Sequence, residues 1–449
     1  MKKSLNRRSF LATSAIAGAG LLVVPRHVLG GKGFVAPSDK LNIAAIGSGG
    51  MGAGNLARVE SENIVALCDV DDVKAAATFN KYPNAPRFKD FRVMLDKIKG
   101  IDAVIVATPD HTHAVAAMAA IRMGKHVYVQ KPLAHSVYET RMLTEAVRKY
   151  NVVSQMGNQG RSGEGTRRLA EWIWAGAIGD IREVHSWTNR PVWPQGIGRP
   201  EGTPPVPDTL DWNLWLGPAT ERPYHPDYLP FNWRAWYDFG CGALGDMGCH
   251  VLDQVFHAMK LKYPEWVQGS HSYEVREMWK RVDNQETYPS ASMITYQFPE
   301  RGTMPALRLT WYDGGLMPVW PKEVDSSKVS MEGGSMFIGD KGIIVCSTYG
   351  GEVMMFPEER FQEFKDLPAS LPRIAGTHEQ DWINGIKNHT KPCSDFDYSG
   401  PLTEMVLMGN LAIRVPGKRL MWDGDQMKVT NDEEANRFIH NDYRSGWVL

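Results

Sequence analysis

The stretch GALGDMGCHVLDQVFHAM, residues 242–259, sets Asp246, His250, Asp253 and His257 at steps of four, three and four. Residues three and four apart are neighbours on a helix, so these steps align two carboxylates and two imidazoles on one stripe. Imidazole ordinarily titrates at about 6.5, which suits general acid–base transfer, and a carboxylate one turn away can fix its tautomer and steady the imidazolium. Ahead of the stripe, Gly240, Gly242, Gly245 and Gly248 form a turn able to bring backbone close to a ligand. A solvated helix face accounts for the same spacing equally well. A cation held by Asp246, His250 and His257 is disfavoured, because the spacing is not His-Glu-x-x-His and no Cys or His cluster accompanies it. No metal is expected.

A second set of candidates begins at Leu41. Leu41 to Ile46 reads as a short apolar strand, and Gly47, Gly49 and Gly52 then spell G-x-G-x-x-G before a helical pattern. The first glycine permits a tight turn, the second lets a pyrophosphate approach the backbone, and the third packs helix on strand. Gly47, Gly49, Gly50, Met51 and Gly52 are thus candidate cofactor contacts. About twenty residues on, NIVALCDVDD is a second strand ending in Asp69, an acid placed to bind adenosine ribose hydroxyls and repel a 2′-phosphate. No arginine follows it directly, so NAD is favoured over NADP.

Elements that would position these groups follow in alternation. IDAVIVATP, HVYVQKPLA and VVSQMGNQG read as buried parallel strands, with HAVAAMAAIRMGK and SVYETRMLTEAVRKYN as helices between them. Such alternation predicts a doubly wound parallel sheet with ligands outside the strands' carboxyl ends. Thr108, Pro109 and His113 stand at one such end and border the expected cofactor; His111 and His113 also fit a helix start capped by Asp110 or Thr112. Lys131 stands at the next end. Asn158 and Gln159, after the last parallel strand, are candidate substrate or nicotinamide contacts.

Taken in order, GSGGMG, ATPDHTH, VQKPL and GDMGCH resemble the motifs of the glucose–fructose oxidoreductase and inositol dehydrogenase family, Gfo/Idh/MocA, across essentially the whole mature chain. The resemblance implies an NAD-binding Rossmann domain and a C-terminal α/β domain whose large, open, mostly antiparallel sheet forms a homo-oligomer interface. It also implies that Lys131 contacts both the substrate hydroxyl and the nicotinamide region. Asp246 and His250 match the family's D-x-x-x-H, the acid–base histidine and its neighbouring aspartate. Where the family usually has Glu-Lys-Pro this chain has Gln130, which leaves Lys131 without its customary charge partner. Asp253 and His257 fall outside the motif and read as hydrogen-bonded helix residues.

Residues 1–31 have a basic start, a short apolar run from Ala12 to Val24 and small residues after it, the layout of an export signal too short for a comfortable membrane span. Arg7 and Arg8, followed by Phe10 and Leu11, resemble a twin-arginine signal, although Ala12 replaces the usual lysine. The expected organisation is a signal over 1–31, a Rossmann domain over 38–160, a substrate and oligomerisation domain over 161–430, and a tail over 431–449 that packs back on the body. Within the second domain, residues 194–242 are too rich in Trp and Tyr for a disordered linker. Trp193 and Trp233 are candidate sugar-stacking residues, with packing the better reading for any single aromatic there. SASMITYQFP, MPALRLTWYDGG, SMFIGDKGIIVCST and EVMMFP read as strands of the antiparallel sheet.

Fifty basic against fifty-one acidic residues leave a net charge of −1, which gives no electrostatic case for nucleic acid. Five widely spaced cysteines make no C-x-x-C pair or disulfide lattice and read as free thiols. The expected function is an exported, periplasmic NAD-dependent oxidoreductase acting on a secondary hydroxyl of a sugar, glycoside or cyclitol. Little free cofactor exists outside the cytoplasm, so NAD is expected to bind inside, cross with the folded chain through the twin-arginine machinery, and stay. Redox-neutral glycoside cleavage is the alternative reaction, and a non-catalytic sugar-binding protein the alternative outside catalysis.

Overall fold

Apolar, β-branched runs form the first layer. Strands β1 (Asn42–Ile46), β2 (Asn63–Cys68), β3 (Arg87–Phe88), β4 (Ala103–Val106), β5 (His126–Val129) and β6 (Ser154–Met156) pair in the order β3-β2-β1-β4-β5-β6. All five pairings are parallel. Helices cover both faces of such a sheet, which is why β4 (AVIV) is buried throughout rather than alternating. The chain is described here from a computed structural model over residues 39–282 and 284–449. The predicted export signal, residues 1–31, lies outside the described residues.

Helices α1 (Gly50–Arg58), α2 (Asp72–Lys81), α3 (Phe91–Lys97), α4 (Asp110–Arg122) and α5 (Val137–Tyr150) join these strands. Their starts follow local chemistry. Asp71 caps α2 by accepting from the amides of Val73 and Lys74, and Ser136 with Glu139 closes a capping box on α5. The predicted helix over 113–125 instead starts at Asp110, with Pro109 at its N-cap and no side-chain cap there, so neither Asp110 nor Thr112 caps it.

After α6 (Glu164–Trp174), β7 (Ile181–Thr188) and α7 (Trp212–Leu216), the chain enters α8 (Gly242–Ala258). Strands β8 (Trp266–His271), β9 (Val275–Glu277), β10 (Lys280–Arg281), β11 (Ser292–Phe298), β12 (Leu307–Tyr312), β13 (Gly333–Gly339), β14 (Ile343–Ser347) and β15 (Val353–Phe356) follow. The chain ends with α9 (Glu358–Phe364), α10 (His378–Asn388), α11 (Phe396–Arg414), β16 (Arg419–Asp423), β17 (Lys428–Val429) and α12 (Glu433–Asn436). Nine strands form one sheet in the order β15-β14-β13-β7-β12-β11-β8-β16-β17, while β9 and β10 make a separate ribbon. Its pairings are antiparallel except β7 with β12, so the sheet is mixed and mostly antiparallel.

Helices α8 and α11 pack together and lie against this sheet. Every residue of α8 except His257 is buried, so the stripe of acids and imidazoles is not a solvated face. The aromatic segment forms a satellite core of its own, holding Trp193, Trp215, Tyr228, Trp233, Trp236 and Phe239. All five cysteines are free thiols. No helix among the described residues is long and apolar enough to cross a membrane.

Candidate active site

Three glycines of the turn after β1 have no room for a Cβ against neighbouring backbone. Gly47 has φ +82°, and a Cβ there would stand 2.5 Å from the carbonyl oxygen of Ala107. A Cβ at Gly49 would meet the Lys74 carbonyl oxygen at 2.8 Å, and one at Gly52 the Gly47 carbonyl oxygen at 1.9 Å. Gly50, at φ +49°, faces open space. Helix α1 starts here with no side-chain cap and no acid in its first turn. Its N-terminal amides and dipole favour an anion, so the loop fits a pyrophosphate. The Asp69 carboxylate accepts from the amides of Ser48 (2.7 Å), Gly49 (3.1 Å) and Asp71 (3.0 Å). Its expected ribose contact is thereby joined to a structural one, shaping the loop, while burial pushes its pKa up against those donors.

A cleft of about 410 Å³ opens in front of this loop. Gly47, Gly49, Gly50, Met51, Asp69, Thr108, Pro109 and Lys131 border it on the Rossmann side, with Trp233 and Arg234 across from them in the chain's second half. Gly52 supports the cleft through packing rather than by lining it. His113 does not line it either: its buried ring lies between the carbonyl oxygens of Pro132 and Thr108, each 2.8 Å from a ring nitrogen, and when neutral it donates to one of the two. It braces the two turns that carry Thr108 and Lys131, and burial drops its pKa to about 4.

Lys131 is not left without a charge partner. Its Nζ donates to Asp246 Oδ1 at 2.9 Å and to the Asp246 carbonyl oxygen at 2.5 Å. Gln130, standing where the family has glutamate, donates to Asn55 Oδ1 instead. Asp246 Oδ1 also accepts from Arg234 Nε at 2.9 Å. Burial alone would raise the Asp246 pKa, but Lys131 and Arg234 together hold it far below the usual carboxylate range. The carboxylate is therefore committed to two cations and makes no hydrogen bond to His250, contrary to the expectation that it orients the imidazole.

His250 lies one turn on, 5% exposed, with its ring edge-to-face with Tyr349 at 4.9 Å between centroids. Its Nδ1 is buried without a hydrogen-bond partner among the described residues. Burial first, and the charge of Lys131 second, depress its pKa, so the ring is neutral at neutral pH. Asp110 faces the same group of charges. Its Oδ2 accepts the Cys241 amide, and burial pushes its carboxyl up to about 7 against the pull of Arg234 and Lys131. Asp110, Arg234 and Tyr349 are site residues that the sequence reading missed or placed elsewhere. Arg234 carried a signal, since it is a cation inside the aromatic run FNWRAW, and it stacks on Phe231 and Trp233 at 3.9 and 4.1 Å.

The remaining candidates divide. Trp233 lines the cleft, whereas Trp193 is buried in the satellite core with its Nε1 donating to Gln195. Asn158 is a buried strut, donating to Asp253 Oδ1 at 3.2 Å and accepting from Ser394 at 2.5 Å, which corrects its expected role as a ligand contact. Gln159 is half-buried at the start of a 3-10 turn and does not line the cleft. Asp253 and His257 are packed helix residues, and no group of three or more metal-ligating side chains occurs among the described residues.

Residues 41–158 match the family model described as an oxidoreductase family NAD-binding Rossmann fold, and residues 187–275 match that family's C-terminal alpha/beta domain. Both domains belong to the Gfo/Idh/MocA oxidoreductases. Among curated Gfo/Idh/MocA relatives, the levoglucosan dehydrogenase of Pseudarthrobacter phenanthrenivorans is 27% identical over 249 residues, 51% of this chain and 55% of that protein. An inositol 2-dehydrogenase of Saccharopolyspora erythraea is 31% identical over 150 residues, 32% of this chain and 44% of that protein. The chain thus spans about half the length of the curated relatives it matches. The same fold appears in the WlbA dehydrogenase of Bordetella pertussis, solved with NADH and UDP-GlcNAcA, at TM-score 0.57 and 16% identity over 86% of this chain and 99% of that one.

Proposed function

We propose that this protein is an NAD-dependent oxidoreductase acting on a secondary hydroxyl of a sugar, glycoside or cyclitol. The observation that carries the reading is the placement of Lys131 in the wall of the cleft that the glycine loop opens into, with its ammonium fixed by Asp246. The curated relatives named as levoglucosan and inositol dehydrogenases support the substrate class. NAD, when bound, supplies the hydride acceptor. Gly47, Gly49, Gly50 and Met51 would hold its pyrophosphate, with Asp69 at its ribose and Thr108, Pro109 and Lys131 toward its reactive end.

The chain's own part is proton and charge management. Lys131 holds the substrate oxygen by a charge-assisted hydrogen bond and stabilises it as negative charge develops. His250, which enters the reaction neutral, is the residue assigned to take up the hydroxyl proton. Asp246 holds Lys131 in place and also accepts from Arg234, so the three groups carry one net positive charge.

The reading includes export of the folded chain to the periplasm by the twin-arginine route, tight retention of NAD, and assembly as a homo-oligomer through the C-terminal sheet. Arg7, Arg8 and the apolar run after them support the first. The test is to recover the exported protein, measure its mass in solution, unfold it, and assay the supernatant for NAD, then to incubate native protein with a panel of glycosides and cyclitols. Released NAD and a persistent keto product are expected. Free monosaccharide without a keto product would replace oxidation with redox-neutral cleavage, and affinity without turnover would leave a binding protein.

A further inference from the structure

The adenosine end of the cleft is completed by residues from the far end of the chain. Beside Asp69, Val70, Lys74 and Lys89, its wall includes Phe91 at the start of α3 and Trp447, two residues before the last. The Trp447 ring stands 6.1 Å from Phe91 between centroids, and the Arg92 guanidinium lies over it at 4.4 Å. An indole whose ring borders an open cleft presents a flat apolar surface of the kind on which purine bases stack.

The tail that delivers Trp447 is fastened at successive points. Tyr138 donates its amide to the Ile439 carbonyl oxygen, Asn441 bonds His135 at 2.8 Å, and the Tyr443 hydroxyl donates to Glu139. Arg444 then donates to the Gly217 carbonyl oxygen at 2.6 Å, to Asn213 Oδ1 at 2.7 Å and to the Asn213 carbonyl oxygen at 2.5 Å. Asn213 and Gly217 belong to α7 and its exit, and Leu214 and Trp215 of that helix also line the cleft. The segment before α7 is itself tied to the β2–α2 turn, where the Asp211 amide donates to Val70 and the Asp72 amide to Thr209. Arg444 is therefore a clasp between the tail and a strip of chain already laid along the nucleotide edge.

We propose that the C-terminal tail builds the adenine subsite, with Trp447 and Phe91 as its aromatic wall and Arg444 as the clasp that keeps bound dinucleotide from leaving. This rests on the NAD-dependent reading above and extends it to the residues that would make the cofactor resident. A tail that adds an aromatic wall at the adenine end makes release slower without any change at the reacting end of the cleft.

Binding of AMP and of nicotinamide mononucleotide to the full chain, freed of cofactor, and to Trp447→Ala, Trp447→Phe and Arg444→Ala tests it, together with retention of NAD through gel filtration. Trp447→Ala is expected to weaken AMP by about tenfold or more and leave nicotinamide mononucleotide unchanged, with Trp447→Phe restoring most of the loss. Arg444→Ala is expected to lose NAD on the column that the parent chain retains. Unchanged AMP affinity in Trp447→Ala, or equal loss of both mononucleotides, would overturn the subsite. Retention of NAD by Arg444→Ala would overturn the clasp. A parent chain that binds neither NAD nor AMP would instead overturn the oxidoreductase reading itself.

Discussion

Asp246 and Asp253 lie on one helix, both buried, yet the fold uses them in opposite ways. Asp246 meets Lys131 and Arg234, and two cations hold it ionised. Asp253 meets neutral donors, the Tyr398 hydroxyl at 2.6 Å and Asn158 Nδ2 at 3.2 Å, and burial pushes its carboxyl up to about 6 against the more distant pull of Arg161. The imidazoles divide likewise: His250 shares the electrostatics of Lys131, while His257 sits between the rings of Trp174 and Tyr398. Spacing on a helix selects a face. What that face does is decided by what the rest of the chain brings against each turn of it.

The sharpest way to break the comparison is at the charged end. Lys131→Ala removes the cation on the Rossmann side of the cleft, beside Thr108 and Pro109, and turnover of the best substrate is expected to fall about 10³-fold. The fold should survive, because Arg234 still satisfies Asp246. His250→Ala is expected to lose about 10² to 10⁴-fold in turnover, the range for a positioned acid–base group. Steady-state rates beside a melting curve check both. Either variant turning over at the parent rate would place the chemistry elsewhere.

The two aspartates then predict opposite pH behaviour. The folded pKa of Asp246 lies below its unfolded value of about 3.9, so its stabilisation is present at neutral pH and lost as pH falls below about 4. The folded pKa of Asp253 is raised, so its contribution is fully present below about 3.9 and lost as pH rises through about 6. Asp246→Asn is thus expected to destabilise at pH 7 by about 3 kcal/mol, since it leaves Lys131 and Arg234 together without their anion. Asp253→Asn keeps an acceptor for Tyr398 and Asn158, and it should remove a loss of roughly 3 kcal/mol that the parent suffers between pH 4 and 7. Denaturant titrations at about pH 2.5, 4, 5.5 and 7, comparing each variant with the parent, separate the two. The Asp246→Asn difference should shrink only below about pH 4, and the Asp253→Asn difference should change only above it. Two differences that change over the same pH range would refute the distinction.

The sequence shows some of this and hides the rest for a physical reason. The helix, its stripe and the glycine loop are local patterns, and α8 spans Gly242–Ala258 as the spacing requires. Parallel strands β1, β2, β4, β5 and β6 were legible as apolar runs between helical periods, and β11 to β15 from alternation and turns, whereas β3 is only two residues long and carries no such run. Strands β8 and β16 were not read, because WVQGSH and RLMWD are short and carry no strong alternation; β8 pairs with β11 and β16 from far along the chain. Of the partners that set Asp246 and Asp253 apart, Arg234 is 12 residues from Asp246, but Lys131 is 115 residues away and Tyr398 is 145 from Asp253. Gln130 shows the hazard in the other direction. A missing local glutamate suggested an unpaired lysine, and the fold supplied an aspartate from the second domain. Asn158, itself an expected substrate or nicotinamide contact, faces Asp253 and Ser394 instead.

His257 is where the comparison predicts least. Its ring is 5.3 Å from Trp174 and 6.3 Å from Tyr398 between centroids, and burial, with the charges of Arg161, Arg167 and Lys260, lowers its pKa to about 3. Three cations acting on one imidazole also oppose a metal ion there, although the sequence places His257 on the same stripe as Asp246 and His250. At pH 8 the side chain is neutral in both folded and unfolded protein, so proton linkage contributes nothing and a substitution removes only ring contacts. His257→Gln is therefore expected to leave turnover within about twofold and to cost about 1 kcal/mol or less. Added zinc or a chelator should move neither quantity in parent or variant. A chelator-sensitive parent whose sensitivity vanishes in His257→Gln would mean that the lower half of the stripe is functional after all, and that a cation, not Lys131 alone, supplies positive charge to the helix.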